Sequence, residues 1–130
     1  PVLGICVGMQ IMAKSSEEGV LSGLGWIKAT VKKFKKEEFG RNEPLPHMGW
    51  NSIDYMDANP LFKDINAKAK FYFLHSYYVK PLNKENSIAF VEYGVQFTCA
   101  TNRDNIFGVQ FHPEKSHHNG MQLLKNFSSL

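Results

Sequence analysis

The stretch Val2-Leu3-Gly4-Ile5-Cys6-Val7-Gly8-Met9-Gln10-Ile11-Met12-Ala13-Lys14 decides how this chain folds. Val2, Leu3 and Ile5 form the short apolar run of a buried strand, and Met9 to Lys14 reads as a helix. Between them lies a G-x-C-x-G turn. A sharp strand-to-helix turn strains the residue at its apex, and glycine neighbours let the chain pass without a Cβ clash. The turn also sets the Cys6 sulfur at a helix start, where aligned peptide dipoles favour thiolate over thiol. From the turn alone, Cys6 is either a nucleophile or a structural cysteine among packing glycines.

A second stretch, Asn105-Ile106-Phe107-Gly108-Val109-Gln110-Phe111, is strand-like and leads directly into His112-Pro113-Glu114. A cysteine nucleophile needs a base to take its proton, and that base needs a group to fix its tautomer. His112 and Glu114, two residues apart around a φ-locked proline, can supply both from one rigid loop. A histidine after a strand can equally be a surface or capping residue. The two motifs together are far more specific than either one.

Four stretches then carry a family resemblance: Leu3-Gly4-Ile5-Cys6-Val7-Gly8-Met9-Gln10, Pro46-His47-Met48-Gly49-Trp50-Asn51, His75-Ser76-Tyr77-Tyr78-Val79, and Gly108-Val109-Gln110-Phe111-His112-Pro113-Glu114-Lys115-Ser116. The chain resembles the class I (triad) glutamine amidotransferases. The second and third stretches resemble the branch that serves imidazole glycerol phosphate synthase. The resemblance runs from the first residues almost to the last. It implies an α/β, flavodoxin-like mixed sheet flanked by helices, with residues 1–130 the C-terminal major part of a single domain. Members of the family carry further strand–helix units before the cysteine strand, including a glycine-containing loop of the oxyanion hole. The expectation is therefore a domain lacking its N-terminal part, with Val2 to Ile5 either bordering an unpaired edge or covered by another chain.

The resemblance also implies the chemistry. Cys6 attacks the side-chain amide of glutamine, His112 carries the proton to the departing ammonia, and Glu114 orients His112. The backbone N–H of Val7 serves the oxyanion, while Gly8, Gln10, His75, Ser76 and Tyr77 bind the substrate. No cofactor and no metal are implied. The ammonia goes to a partner, a (β/α)8-barrel cyclase in the resembling family, with Met48, Trp50, Tyr72 and Lys115 matching positions that face it. Two alternatives stay open: a paralogue feeding a surface-sugar amidination enzyme, and a non-catalytic docking domain.

Composition sets the limits. A chain of 130 residues, 43% apolar and 13% aromatic, is an ordinary globular domain rather than a disordered segment. The net charge of +3 is mild, and Lys32-Lys33-Phe34-Lys35-Lys36 runs straight into Glu37-Glu38. That pattern is a solvated strand end; no stacking platform for nucleic acid accompanies it. No apolar run reaches membrane-span length, and the chain opens without a basic leader. Cys6 and Cys99 make no disulfide framework. Cys99 reads as a small buried hydrophobe, and a free nucleophilic thiol fits a reducing cytoplasm.

The remaining pattern predicts strands at Trp26 to Phe34, Met48 to Tyr55, Phe71 to Leu74, Tyr77 to Val79, Ile88 to Tyr93, Val95 to Ala100 and Ile106 to Phe111. A turn is expected at Asn59-Pro60. The tail from Gly120 to Phe127 predicts a helix that lays Met121, Leu124 and Phe127 on the sheet.

Overall fold

In chain order the elements are β1 (Val2–Ile5), α1 (Val7–Gln10), β2 (Ser15–Ser16), β3 (Ala29–Lys33), β4 (His47–Ser52) and β5 (Asp54–Tyr55). They continue with β6 (Lys70–His75), β7 (Tyr77–Pro81), β8 (Ser87–Tyr93), β9 (Val95–Arg103), β10 (Ile106–Val109) and α2 (His117–Ser128). These come from a computed structural model that describes all residues 1–130. The strand expectations hold to within a few residues at each end, with one correction: the run expected over Met48 to Tyr55 breaks at the buried Ile53 into β4, which pairs with β6, and β5, which pairs with β8 in the main sheet. The fold is a mixed α/β arrangement around a curled sheet.

The main sheet runs β1-β10-β9-β7-β3-β2, and β8 pairs with β9 and carries β5. β1 lies parallel to β10 with Ile5 opposite Val109, which brings residues 6 and 110 side by side although they are far apart in sequence. β1 is an edge strand, paired only with β10, and Val2 is 42% exposed. This is the unpaired edge, one of the two arrangements expected for that strand. β4 and β6 form a separate antiparallel pair in which Met48 faces Leu74, Trp50 faces Tyr72 and His47 faces His75.

Period-2 alternation along β4 and β6 sends one set of side chains inward and the other outward. Phe71, Phe73 and His47 are buried, joining Phe34, Tyr93, Phe97 and Phe111 in the main core. Met48, Trp50 and Leu74 face out. A smaller core of Met9, Ala13, Ile27, Ala29, Val31 and Val79 lies beneath the Cys6 turn and anchors it. Full burial of one such large side chain contributes about 1.5–3 kcal/mol.

Two further expectations are corrected. The helix expected over Met9 to Lys14 is confined to Val7–Gln10. A longer helix would need the carbonyls of Ile11, Ala13 and Lys14, but Leu24, Gly25 and Gly23 N–H groups take them instead. Gly23 is required there, because a Cβ would lie 2.0 Å from Ala13 O. In α2 the buried stripe is Gly120, Leu123 and Asn126, while Met121 is 64% exposed. Asn126 is drawn inside because its amide donates to Leu61 O (2.9 Å) and Lys63 O (2.7 Å), which outweighs the apolar claim of Met121. Of the expected trio only Phe127 reaches the main core.

Candidate active site

Cys6 closes β1 with φ 54° and ψ −111°, a left-handed conformation that a non-glycine residue adopts only under constraint. Its N–H donates to Val109 O (2.8 Å), and its carbonyl accepts from Met9 and Gln10. The turn is thus pinned at both ends, and Gly4 makes it possible: a Cβ there would lie 2.5 Å from Gly8 O. Gly8 itself has open space where a Cβ would be, so it leaves room beside the sulfur rather than packing.

The Cys6 thiol donates to Leu74 O (3.8 Å) and accepts from Gln110 Nε2 (3.7 Å). Burial pushes its pKa up, the Val7 N–H and the Gln110 amide draw it down, and Glu114 and Glu18 push it up again. The net direction is upward, contrary to the expectation from a helix start. A helix of four residues has too few aligned peptides to offset desolvation. The Val7 N–H donates to no backbone carbonyl and is directed to the sulfur instead.

His112 leaves β10 through Gln110 and Phe111, its N–H held by Tyr72 O (2.9 Å). Its Nδ1–H donates to Glu114 Oε2 at 2.8 Å, which leaves Nε2 as the basic nitrogen. Pro113 sets a 3-10 turn over Pro113–Lys115, and Ser116 Oγ donates back to His112 O (2.6 Å), so the loop is rigid. The structure joins His112 to Glu114 directly. It does not join Cys6 to His112 by a hydrogen bond; the thiol proton faces Leu74 O in this state. Such contacts commonly tighten only when substrate enters.

A cavity of about 270 Å³ opens on the sulfur, lined by Cys6, Val7, Gln10, Glu18, Leu74, His75, Ser76 and Tyr77. Gln10, Ser76 and Tyr77, expected to bind substrate, all line this cavity. Gly8 flanks the elbow and is absent from that lining. His75 borders the cavity, but its imidazole is turned into the core: Nδ1–H donates to Tyr77 O (2.8 Å) and Nε2 accepts from His47 Nδ1 (2.9 Å). Both rings are held neutral by desolvation, His47 down to about 3 and His75 down to about 4. Gln10 Nε2 spends its hydrogens on Tyr77 O and Gln110 Oε1, both at 3.2 Å.

Sequence reading missed two residues. Glu18 falls in a polar loop with no motif around it, and only the fold carries it to the cavity. Gln110 is fully buried beside the sulfur; its signal was a lone polar side chain inside the apolar run Val109-Gln110-Phe111. The residues matched to a partner face do come together. Trp50 and Tyr72 meet edge to face at 5.7 Å, Lys115 Nζ lies 5.9 Å above the Tyr72 ring, and Met48 is exposed next to them.

A family model described as "Glutamine amidotransferase class-I" matches residues 1–129. The chain belongs to the class-I glutamine amidotransferases. Among curated relatives of this amidotransferase chain, it is 56% identical to the imidazole glycerol phosphate synthase subunit HisH of Leptospira interrogans and 51% identical to that of Bdellovibrio bacteriovorus. Each match covers 100% of this chain and 64% of the relative, so the chain spans just under two thirds of those proteins. Among solved structures it resembles a GMP synthase subunit from Thermoplasma acidophilum, with a TM-score of 0.71 at 22% identity, covering 99% of this chain and 56% of that one. At that identity the likeness speaks for the fold alone. No helix of the chain is long and apolar enough to cross a membrane.

Proposed function

We propose that this chain carries the glutaminase site of an imidazole glycerol phosphate synthase: it hydrolyses glutamine and hands the ammonia to a synthase partner. The observation that carries the reading is a strained cysteine opening onto a cavity that offers both a carboxylate and unengaged donors. Glu18 suits the α-ammonium of an amino acid. The Ser76 N–H and hydroxyl make no hydrogen bond within the protein and suit its carboxylate.

The steps follow from the groups present. The thiol proton passes to His112 Nε2 while Sγ bonds to the substrate's amide carbon, and the oxygen takes up negative charge facing the Val7 N–H. Glu114 steadies the imidazolium through Nδ1–H. His112 returns the proton to nitrogen as the C–N bond breaks, releasing ammonia and leaving a glutamyl thioester. Water, deprotonated by His112, then frees glutamate and the thiol.

Ammonia is useful only where an acceptor receives it, and the relatives named above are subunits of a synthase. The partner we assign is a (β/α)8-barrel cyclase, and the β4–β6 outer face of Met48, Trp50, Tyr72 and Leu74 with Lys115 is suited to it. An exposed Trp50 against a half-buried Tyr72, flanked by a cation, has the composition of an interface centre. The test uses this protein together with the barrel cyclase. Cys6→Ala is expected to abolish glutamine-dependent product formation while added ammonium salt still drives the cyclase. Glutamine-dependent turnover that survives the substitution would overturn the assignment.

A further inference from the structure

We propose that Gln110 is a further catalytic residue: its side-chain amide holds the Cys6 sulfur as it becomes thiolate, and Gln10 fixes the amide in the orientation this requires. The inference rests on the reading of Cys6 as the nucleophile. The two rings His75 and His47 act behind Gln10 as positioning residues.

The orientation of each group follows from hydrogen-bond logic alone. A backbone carbonyl only accepts, so the group of Gln10 that meets Tyr77 O must be its NH2. The same nitrogen reaches Gln110, so Gln110 presents its oxygen there. The Gln110 NH2 is then necessarily the end that faces Sγ. Tyr77 O also accepts from His75 Nδ1–H, which makes His75 Nε2 an acceptor and His47 Nδ1 its donor. His47 Nε2 in turn accepts from Asn51 Nδ2 at 3.2 Å. Every link has one allowed direction, and a reversed Gln110 amide would set its oxygen against a thiolate.

The position demands explanation on other grounds. Gln110 is fully buried at the end of β10, its N–H held by Cys99 O (2.8 Å), and the β1–β10 register sets it beside Cys6. An amide in an apolar strand costs free energy unless it is fully bonded. Here its bonds go to the nucleophile and to a cavity-lining glutamine, not to the core. A neutral donor suits this task, because Glu114 and Glu18 already oppose the thiolate and His112 must remain free to cycle its proton. The N–H of Val7 and the amide of Gln110 are the two donors that favour the charged sulfur.

The test measures alkylation of Cys6 by iodoacetamide across pH, with Cys6→Ala as the blank, since Cys99 is fully buried. Gln110→Met keeps side-chain volume and removes the donor. The alkylation midpoint is expected to move upward by about one pH unit, so that the rate near neutrality falls roughly tenfold. Glutaminase kcat is expected to fall with it, while KM stays within about twofold. Gln110→Glu places a carboxylate against the sulfur and should raise the midpoint further. If Gln110→Met does not fold, Gln10→Met is read instead; it frees the Gln110 amide to turn and should shift the alkylation midpoint in the same direction by less. An unmoved alkylation profile in a folded Gln110→Met protein, or in Gln10→Met where that variant is the one read, overturns the proposal. Loss of glutaminase activity in wild type with the midpoint shift intact would instead count against the functional reading of the site.

Discussion

At Cys6 the backbone is held at φ 54°, a conformation that costs on the order of 1–3 kcal/mol for a non-glycine residue, by the Val109 carbonyl on one side and the first turn of α1 on the other. That strain exposes the sulfur to the cavity and leaves the Val7 N–H without a backbone partner. Residue identity made this much legible: the G-x-C-x-G spacing and His112-Pro113-Glu114 picked out the three groups on which the proposed mechanism rests. The direction of the thiol's pKa was not legible, because burial decides it and only the fold fixes how deeply the sulfur is buried. Glu114 supplies the residue-scale prediction. Its carboxylate accepts from His112 Nδ1–H at 2.8 Å but is nearly half exposed, so solvent screens its charge while its geometric role persists. Glu114→Gln is expected to lower glutaminase kcat by about ten- to a hundredfold with KM little changed, less than removal of a buried triad acid would. Steady-state kinetics with glutamine checks this, and an unchanged kcat would remove Glu114 from the mechanism.

α2 shows how an element far from the cavity sets its geometry. The strands were legible because β-branched and aromatic runs end at turn residues, and that signal survives in any context. Which face of α2 is buried was not, since the choice was made by Asn126 finding the Leu61 and Lys63 carbonyls and by Gly120 meeting the His112 loop. The first helix was likewise overestimated because its carbonyls are claimed by Gly23, Leu24 and Gly25, a tertiary effect with no local trace. Gly120 gives the prediction at this scale. A Cβ there would lie 1.8 Å from Pro113 O, a backbone atom that cannot step aside cheaply. Gly120→Ala is expected to destabilise the fold by about 3 kcal/mol. It should also displace the loop that carries His112 and Glu114, so kcat falls even at temperatures where the variant is folded. Urea denaturation and kinetics together check this; a stability within about 0.5 kcal/mol of wild type, on the usual scale of surface changes, would contradict the packing described.

Across the whole molecule, the buried histidine pair ties folding to pH. His47 is stacked between Phe73 and Tyr93, His75 lies among Phe34, Phe73 and Phe97, and no carboxylate reaches either ring. Their folded-state pKa values of about 3 and about 4 lie below the 6.5 of an exposed histidine. The sign follows from proton counting. Below pH 6.5 the unfolded chain binds protons that the folded chain refuses, so stability is full above that pH and falls as pH drops toward the folded values. From about pH 6.5 to about pH 5, before most carboxylates titrate, the two rings together should remove about 3 kcal/mol. In His47→Gln the amide NH2 can still donate to His75 Nε2, but only one ring refuses a proton. Its loss over the same interval is expected to be about half as large, even if its stability at neutral pH is lower. Urea melts at half-unit pH steps compare the two slopes, and parallel curves for wild type and His47→Gln would show that the pair is not what makes this fold sensitive to acid.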